Sequence, residues 1–208
     1  MRPFLIGIAG PSGSGKTYLA KRLALTQPSA FSFLSLDNYY LPLDHLSPAE
    51  RDAVNFDHPD AIDWPLAARH LEMLANGHPV QAPGYRFDLH TRGPAGEPIQ
   101  PREHLLVEGI LALHEESVRR QLHLKIYVET PGGECFRRRL DRDCRERGRT
   151  PESVERQFRA TVDPMARQFV LPSRQWADLI VSGDAVVEQS VRSISAAIQK
   201  RRNKPAGY

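Results

Sequence analysis

Eight residues near the start of the chain have the types and spacing to hold a polyphosphate: Gly10-Pro11-Ser12-Gly13-Ser14-Gly15-Lys16-Thr17. The pattern is G-x-x-x-x-G-K-[ST]. Its glycines let the backbone approach an anion closely, and the N–H groups opening the next helix point at that anion. Gly10, Ser12, Gly13, Ser14 and Gly15 would form the cradle. Lys16 adds a charge that reaches the β and γ phosphates of a nucleotide such as ATP, and the Thr17 hydroxyl suits Mg²⁺. Two carboxylates at the ends of apolar runs join this motif. Asp37 follows Phe31–Leu36 and reads as a ligand of Mg²⁺-bound water, as a general base for a substrate hydroxyl, or as a turn residue; the upstream motif favours the functional readings. Glu108 ends Leu105-Leu106-Val107, a fully buried parallel strand by its composition. It either faces the metal or its waters, or closes the sheet edge through a salt bridge.

A second set of residues suits an organic acceptor. Phe56 and Asp57 lie in Asn55–Trp64, a stretch too rich in acids and aromatics for a plain linker, and neither has a capping role. Ring stacking and a carboxylate for hydroxyl groups are the chemistry they offer. Asp63, in contrast, is a good N-cap for a helix from Trp64 to about Ala75. Residues 78–101 hold five prolines and three glycines around Tyr85, Phe87 and His90. The short alternation there predicts a small projecting hairpin, with the aromatics either forming a binding pocket or a satellite apolar cluster.

A third set is cationic. Gly133–Arg147 reads as a helix carrying Arg137, Arg138, Arg139, Arg142, Arg145 and Arg147, with Arg149 past Gly148. Four acids interleave: Glu134, Asp141, Asp143 and Glu146. A solvated, charge-laced helix accounts for Arg137 and Arg145. For the others the sharper reading is a lid that brings arginines over a transferring phosphoryl group and excludes water. A nucleic-acid patch is disfavoured, because acids interleave and stacking aromatics are missing from the stretch.

The elements that must position these groups alternate. Strand, phosphate-binding turn and helix are followed by a strand at Phe31–Leu36, a helix, the hairpin, and strands at Leu105–Leu111 and Leu122–Glu129. The arginine helix follows, then a helix from Pro151 to about Phe169 that Pro164 kinks or breaks, a strand at Ala177–Ser182 and an amphipathic helix from Val186 to Lys200. The order predicts an α/β fold: a doubly wound parallel sheet with a small β-hairpin insertion and an arginine-rich helical lid. One domain over 1–208 suffices, with the insertion at about 78–101 and the lid at about 133–150. The net charge of +3 is too modest to argue for a nucleic-acid partner. Neither a secretory leader nor a membrane-length apolar run is legible, and Cys135 and Cys144 form no disulfide framework, so a reducing cytoplasm is expected. Lys200–Tyr208 reads as a frayed end.

Several ordered motifs resemble the uridine kinase (uridine–cytidine kinase) family of P-loop kinases. They are GPSGSGKT at 10–17, LDNYY at 36–40, NFDHPDAID at 55–63, PGYRFDLHTR at 83–92, VEGIL at 107–111, RRRLDRDCRERGR at 137–149 and DPMARQFVLPSRQWADLIV at 163–181. The resemblance implies transfer of the ATP γ-phosphoryl group to the 5′-hydroxyl of uridine or cytidine, in pyrimidine salvage, by a homo-oligomer. It implies Asp37 as base, with Thr17, Asp37 and Glu108 around Mg²⁺. Asp57 and Arg139 would hold the ribose hydroxyls, Tyr85 and His90 would read the pyrimidine edge, and Phe56 and Phe87 would wall the base. Arg142, Arg147 and Arg149 would belong to the lid, with Gln157 at the sugar. The chain departs from the family pattern at Arg86, where an acid is usual, at Ser182-Gly183-Asp184 and at Asp163. The readings left beside it are a P-loop kinase of another ribosyl or sugar-phosphate acceptor, nicotinamide riboside or a phosphoribulokinase-like substrate among them, and a non-catalytic nucleotide-dependent switch.

Overall fold

A computed structural model describes residues 2–203. Its elements are β1 (Phe4–Ala9), α1 (Lys16–Ala24), β2 (Phe31–Ser35), α2 (Pro48–Asp52), α3 (Trp64–Ala75), β3 (Gly84–Arg86), β4 (Thr91–Gly93), β5 (His104–Glu108), α4 (Glu116–Arg119), β6 (Leu124–Glu129), α5 (Gly132–Arg147), α6 (Pro151–Gln157), α7 (Asp163–Met165), α8 (Leu171–Ser173), β7 (Leu179–Ser182) and α9 (Val187–Arg202). Five strands form one sheet in the order β2-β5-β1-β6-β7, every neighbouring pair parallel. β3 and β4 form a separate antiparallel hairpin.

Alternation along the strands divides the core into two layers. Leu5, Ala9, Leu105 and Val107 face one side, where Leu71 and Leu74 of α3 cover them. Ile6, Ile8, Leu106, Ile126 and Val128 face the other, against Leu19 and Leu23 of α1 and Ile194 and Ile198 of α9. A strand buried on both faces has to be continuously apolar, as β1 and β5 are. The strand order reverses about β1, since the chain leaves it for β2 and β5 on one side and returns to β6 on the other. Such a switch point opens a crevice beyond the carboxyl ends of the strands.

Local signals set the shorter elements. Ser47 and Glu50 form a reciprocal capping box at the start of α2, and the Asp63 carboxylate accepts from Leu66 N–H to cap α3. Three expectations change. Pro164 does not break the chain's helical course: π-helical stretches at Phe158–Val162 and Ala166–Val170 flank α7, and the run continues to a 3₁₀ turn at Arg174–Trp176. The wider turns give the proline ring room against the preceding carbonyls. The last strand begins at Leu179, not Ala177. Lys200–Arg202 are helical, because α9 packs its apolar stripe on the sheet through Ile198 and carries on past it; 204–208 of the expected frayed end lie outside the described residues.

Candidate active site

The phosphate-binding turn sits between β1 and α1 at the sheet's switch point. Gly13 has a φ of +82°, and a Cβ there would run into the carbonyl oxygen of Cys135 on α5, so only glycine lets the turn close against that helix. Thr130 Oγ1 donates to the Ser14 carbonyl at 3.0 Å and pins the turn to the end of β6. The Ser14 hydroxyl is buried without a hydrogen-bond partner. Lys16 opens α1, with Thr17 beside it.

Register brings the acid of β5 to this turn. Ile8 and Ser35 both pair with Glu108, one from each neighbouring strand. Ser35 Oγ donates to Glu108 Oε1 at 2.9 Å and Thr17 Oγ1 to Oε2 at 3.1 Å. Glu108 is only 3% exposed, and burial raises its carboxyl pKa; Lys16 opposes the rise and Asp37 adds to it. The partners of Glu108 are hydroxyls at the phosphate turn and at β2, which is not the edge-closing salt bridge of the alternative reading. Asp37 lies in a 3₁₀ turn, Leu36–Tyr39, directly after β2. Its charge acts on Glu108, Asp57, Tyr40 and Tyr85, so the acids and phenols of the crevice converge around it. Two carboxylates and a hydroxyl beside a buried anion-binding turn are hard oxygen donors, and the raised proton affinity of Glu108 is what a divalent cation would relieve. The residues present therefore fit Mg²⁺ at Thr17, Asp37 and Glu108, and the turn fits a nucleotide polyphosphate.

The acceptor residues meet across the crevice. Phe56 stacks on His90 with centroids 4.9 Å apart and planes 17° from parallel. Tyr85 packs on Tyr40 at 5.0 Å and on Phe87 at 5.1 Å. The Tyr85 hydroxyl is buried with no hydrogen-bond partner among the described residues, and burial pushes its pKa up. His90 stands at a φ of +49° with its Nε2 3.6 Å from Asp52 of α2. Burial lowers its pKa, and the neighbouring Asp52 opposes the shift. Asp57 is 9% exposed, and burial raises its pKa against the pull of Arg139. Arg86 points away, paired with Asp88 at 2.7 Å in solvent, so the departure from the family pattern leaves the pocket lining untouched.

The arginines separate into two groups. Arg137 and Arg145 are exposed and pair with Glu134 and Asp141, as the solvated reading expects. Arg138 donates to the Gly183 carbonyl and pairs with Asp184, so it ties α5 to the segment after β7. Arg139, expected at the ribose, is buried with Nη1 on Ser12 Oγ at 2.8 Å and Nη2 on Gln157 Oε1 at 3.0 Å. Arg149 also donates to Gln157. Arg147 lies over the Phe87 ring at 4.9 Å and joins α5 to the hairpin. Asp163 pairs with Arg167 in solvent.

Sequence reasoning missed four residues. Ser35 is marked only by its register with Glu108, and Tyr40 only by packing. Arg92 joins the hairpin to the crevice floor: Nε donates to the Tyr40 carbonyl and Nη2 to Asp63 Oδ2, each at 2.9 Å. Asp63 thus caps a helix and anchors the hairpin together. Asp143, noted in the sequence only as one of four interleaved acids, is 0% exposed, because Arg139, Arg142 and Arg147 close over it.

Residues 5–190 match the model of a family described as Phosphoribulokinase / Uridine kinase family. A uridine kinase of Deinococcus deserti is 41% identical over 200 residues, covering 96% of this chain and 97% of that protein. One of Lactobacillus johnsonii is 44% identical over 182 residues, covering 86% of each. Among solved structures, D-glycerate 3-kinase from Cryptococcus neoformans has a TM-score of 0.62 at 16% identity, over 88% of this chain and 87% of that one. Phosphoribulokinase from Rhodobacter spheroides has a TM-score of 0.60 at 14% identity, over 87% and 70%. These distant structures share the fold, while the sequence relatives are similar over most of the chain and the family model spans residues 5–190. With the phosphate turn, the Glu108 register and the hairpin all in place, the chain belongs to the phosphoribulokinase/uridine kinase family.

Proposed function

We propose that the chain is a uridine kinase, transferring the γ-phosphoryl group of ATP to the 5′-hydroxyl of uridine or cytidine. The observation that carries the reading is the Phe56–Tyr85–His90 aromatic cluster, whose Tyr85 hydroxyl is buried without a hydrogen-bond partner among the described residues. A buried hydroxyl left unpaired is costly unless a ligand pairs with it. Flat rings around it suit a nucleobase, which a simple sugar phosphate lacks. The roughly 40% identity to uridine kinases over most of the chain supports the same acceptor.

In this reading the glycine-rich turn and Lys16 grip the donor phosphates. Mg²⁺ at Thr17, Asp37 and Glu108 supplies charge neutralisation between the phosphates when bound. Asp37 accepts the proton of the 5′-hydroxyl, and Asp57 with Gln157 receives the ribose. Arg142 and Arg147, helped by Arg149, neutralise charge that develops on the phosphoryl group, and the hairpin and α5 together keep water out. Little else is needed, because a loose phosphoryl transition state is served by alignment and charge rather than by a covalent intermediate. Arg139 would meet the ribose while already engaged with Ser12 and Gln157. The reading extends to pyrimidine salvage in the cytoplasm and to a homo-oligomeric state.

The experiment is a substrate panel with ATP and Mg²⁺ against uridine, cytidine, adenosine, nicotinamide riboside and ribulose 5-phosphate. Turnover on the two pyrimidine nucleosides is expected. Preference for a sugar phosphate, or no phosphorylation of either pyrimidine, sinks the proposal.

A further inference from the structure

One carboxylate at the centre of the arginine helix has no part in the steps above. Asp143 is the fully buried acid of a helix on which, among the charged residues, only Arg139 is buried with it. Its Oδ1 accepts from Arg142 Nε at 2.9 Å and lies 2.8 Å from Nη2 of the same residue. Arg147 Nη1 stands 3.6 Å from that oxygen. Oδ2 faces Arg139 Nε at 3.4 Å and has no hydrogen-bond partner, and neither has that Nε. The backbone adds a fourth arginine: the N–H groups of Gly148 and Arg149 both donate to the Asp143 carbonyl as the helix ends. All four arginines assigned to the site therefore depend on one residue, three through its carboxylate and one through its carbonyl. Glu134 and Asp141 on the same helix instead pair with exposed arginines at the surface.

The geometry distinguishes a poised arrangement from a locked one. Guanidinium–carboxylate pairs that are fully hydrogen-bonded close to about 2.7–2.9 Å. Arg142 meets that distance, whereas Arg139 and Arg147 stand off at 3.4 and 3.6 Å. Three cations crowded at one site repel one another, and a buried anion between them sets where they stand. Of the two looser arginines, Arg139 reaches the phosphate turn through Ser12 while also holding Gln157, and Arg147 extends toward the hairpin. Arg147 is steadied on its other side by the Phe87 ring.

We propose that Asp143 is the positioning residue of the arginine set: its carboxylate gathers Arg139, Arg142 and Arg147 into an array ready for the donor phosphates, and acts only through them. The inference rests on the reading of Arg142 and Arg147 as phosphoryl-neutralising groups. A double-mutant cycle tests both and tells them apart. Asp143→Asn removes the charge and leaves the shape and the backbone carbonyl. Turnover, KM for ATP and for uridine, and melting temperature are measured for D143N, R147A and the double variant.

Each single substitution is expected to lower kcat about tenfold or more, the scale of misplaced reacting groups. The double variant is expected within about threefold of the weaker single, because residues acting as a unit do not add. Wild-type kcat in R147A sinks the arginine reading itself. With R147A impaired, either wild-type kcat in D143N or losses that multiply in the double variant overturn the role of Asp143 alone. Multiplied losses are what a merely structural carboxylate would give. Should D143N fail to fold, Asp143→Ser, smaller and also uncharged, runs the same cycle with the same outcomes.

Discussion

At the donor end of the crevice the functional groups stand on β1 and β5, central strands with both faces covered, and the register Ile8–Glu108–Ser35 places the acid to within a hydrogen bond of Thr17. At the acceptor end they stand on a hairpin of two three-residue strands, a 3₁₀ turn and the five-residue α2, with Phe87 40% exposed. The hairpin is moored to that floor by Arg92 and by Thr91 Oγ1 donating to Asp44 at 2.7 Å. In the proposed reading the donor end binds with backbone, which works only when it is rigid, and the acceptor end with side chains. Those side chains stand on a lightly anchored segment, which is the kind of region that opens and closes around a substrate. The comparison teaches that one crevice carries two stabilities, and substitutions should separate them.

The largest effect is expected where the two ends meet. Asp37→Asn is expected to lower kcat about a thousandfold, within the range seen for a positioned base, while ATP affinity measured by calorimetry stays within about threefold. Joint loss of both would place Asp37 on the donor side alone. Next is Tyr85→Phe. Its hydroxyl has no hydrogen-bond partner to lose among the described residues, so the melting temperature is expected to hold while KM for uridine rises about tenfold, the worth of one hydrogen bond. An unchanged KM would break the reading of that hydroxyl as a base contact.

Arg92→Ala comes third. It frees the hairpin from Tyr40 and Asp63, so KM for uridine is expected to rise several-fold and limited proteolysis near residues 86–90 to quicken, with KM for ATP unchanged. A matching rise in KM for ATP would mean the two ends are one rigid unit.

The smallest effect is on pH. Burial lowers the pKa of His70, His90, His104, His114 and His123. The unfolded chain, with imidazoles near 6.5, then takes up protons before the folded one. Their stabilising share is present above that value and lost as pH falls through the lower folded values. The melting temperature is expected to fall by about a few degrees from pH 7.5 to 5.5. Glu108 and Asp57, shifted upward by burial, act in the opposite direction. A melting temperature that rises on acidification would refute this. Amide exchange should loosen first in the hairpin, where His90 sits.

How far the chain could be read without coordinates follows the range of the forces involved. Short-range chemistry is written locally. The phosphate turn and the Asp63 cap each need only a few neighbouring residues and stand where the spacing puts them, while the hairpin's first strand ends at Arg86 and leaves Phe87 in the turn. Asp37 and Glu108 were legible as carboxylates at strand ends. Of the two outcomes open at Pro164, a kink or a break, the break does not occur, because π turns on either side accommodate the ring.

Tertiary structure alone decided which charge meets which. Asp141 and Asp143 are near neighbours on one helix with similar flanks, yet one pairs with Arg145 at the surface and the other is sealed under three arginines. Helical periodicity assigns faces, but only the docking of α5 against the phosphate turn says which face loses its water. Arg92 and Ser35 lie outside any motif of their own chemistry, and their partners are 52 and 73 residues away in the chain. The sequence by itself determined the chemical groups and the order of the elements, because those rest on residue type and local period. The fold decided the partners, since burial and Coulomb attraction act between whatever the packing of distant segments brings together.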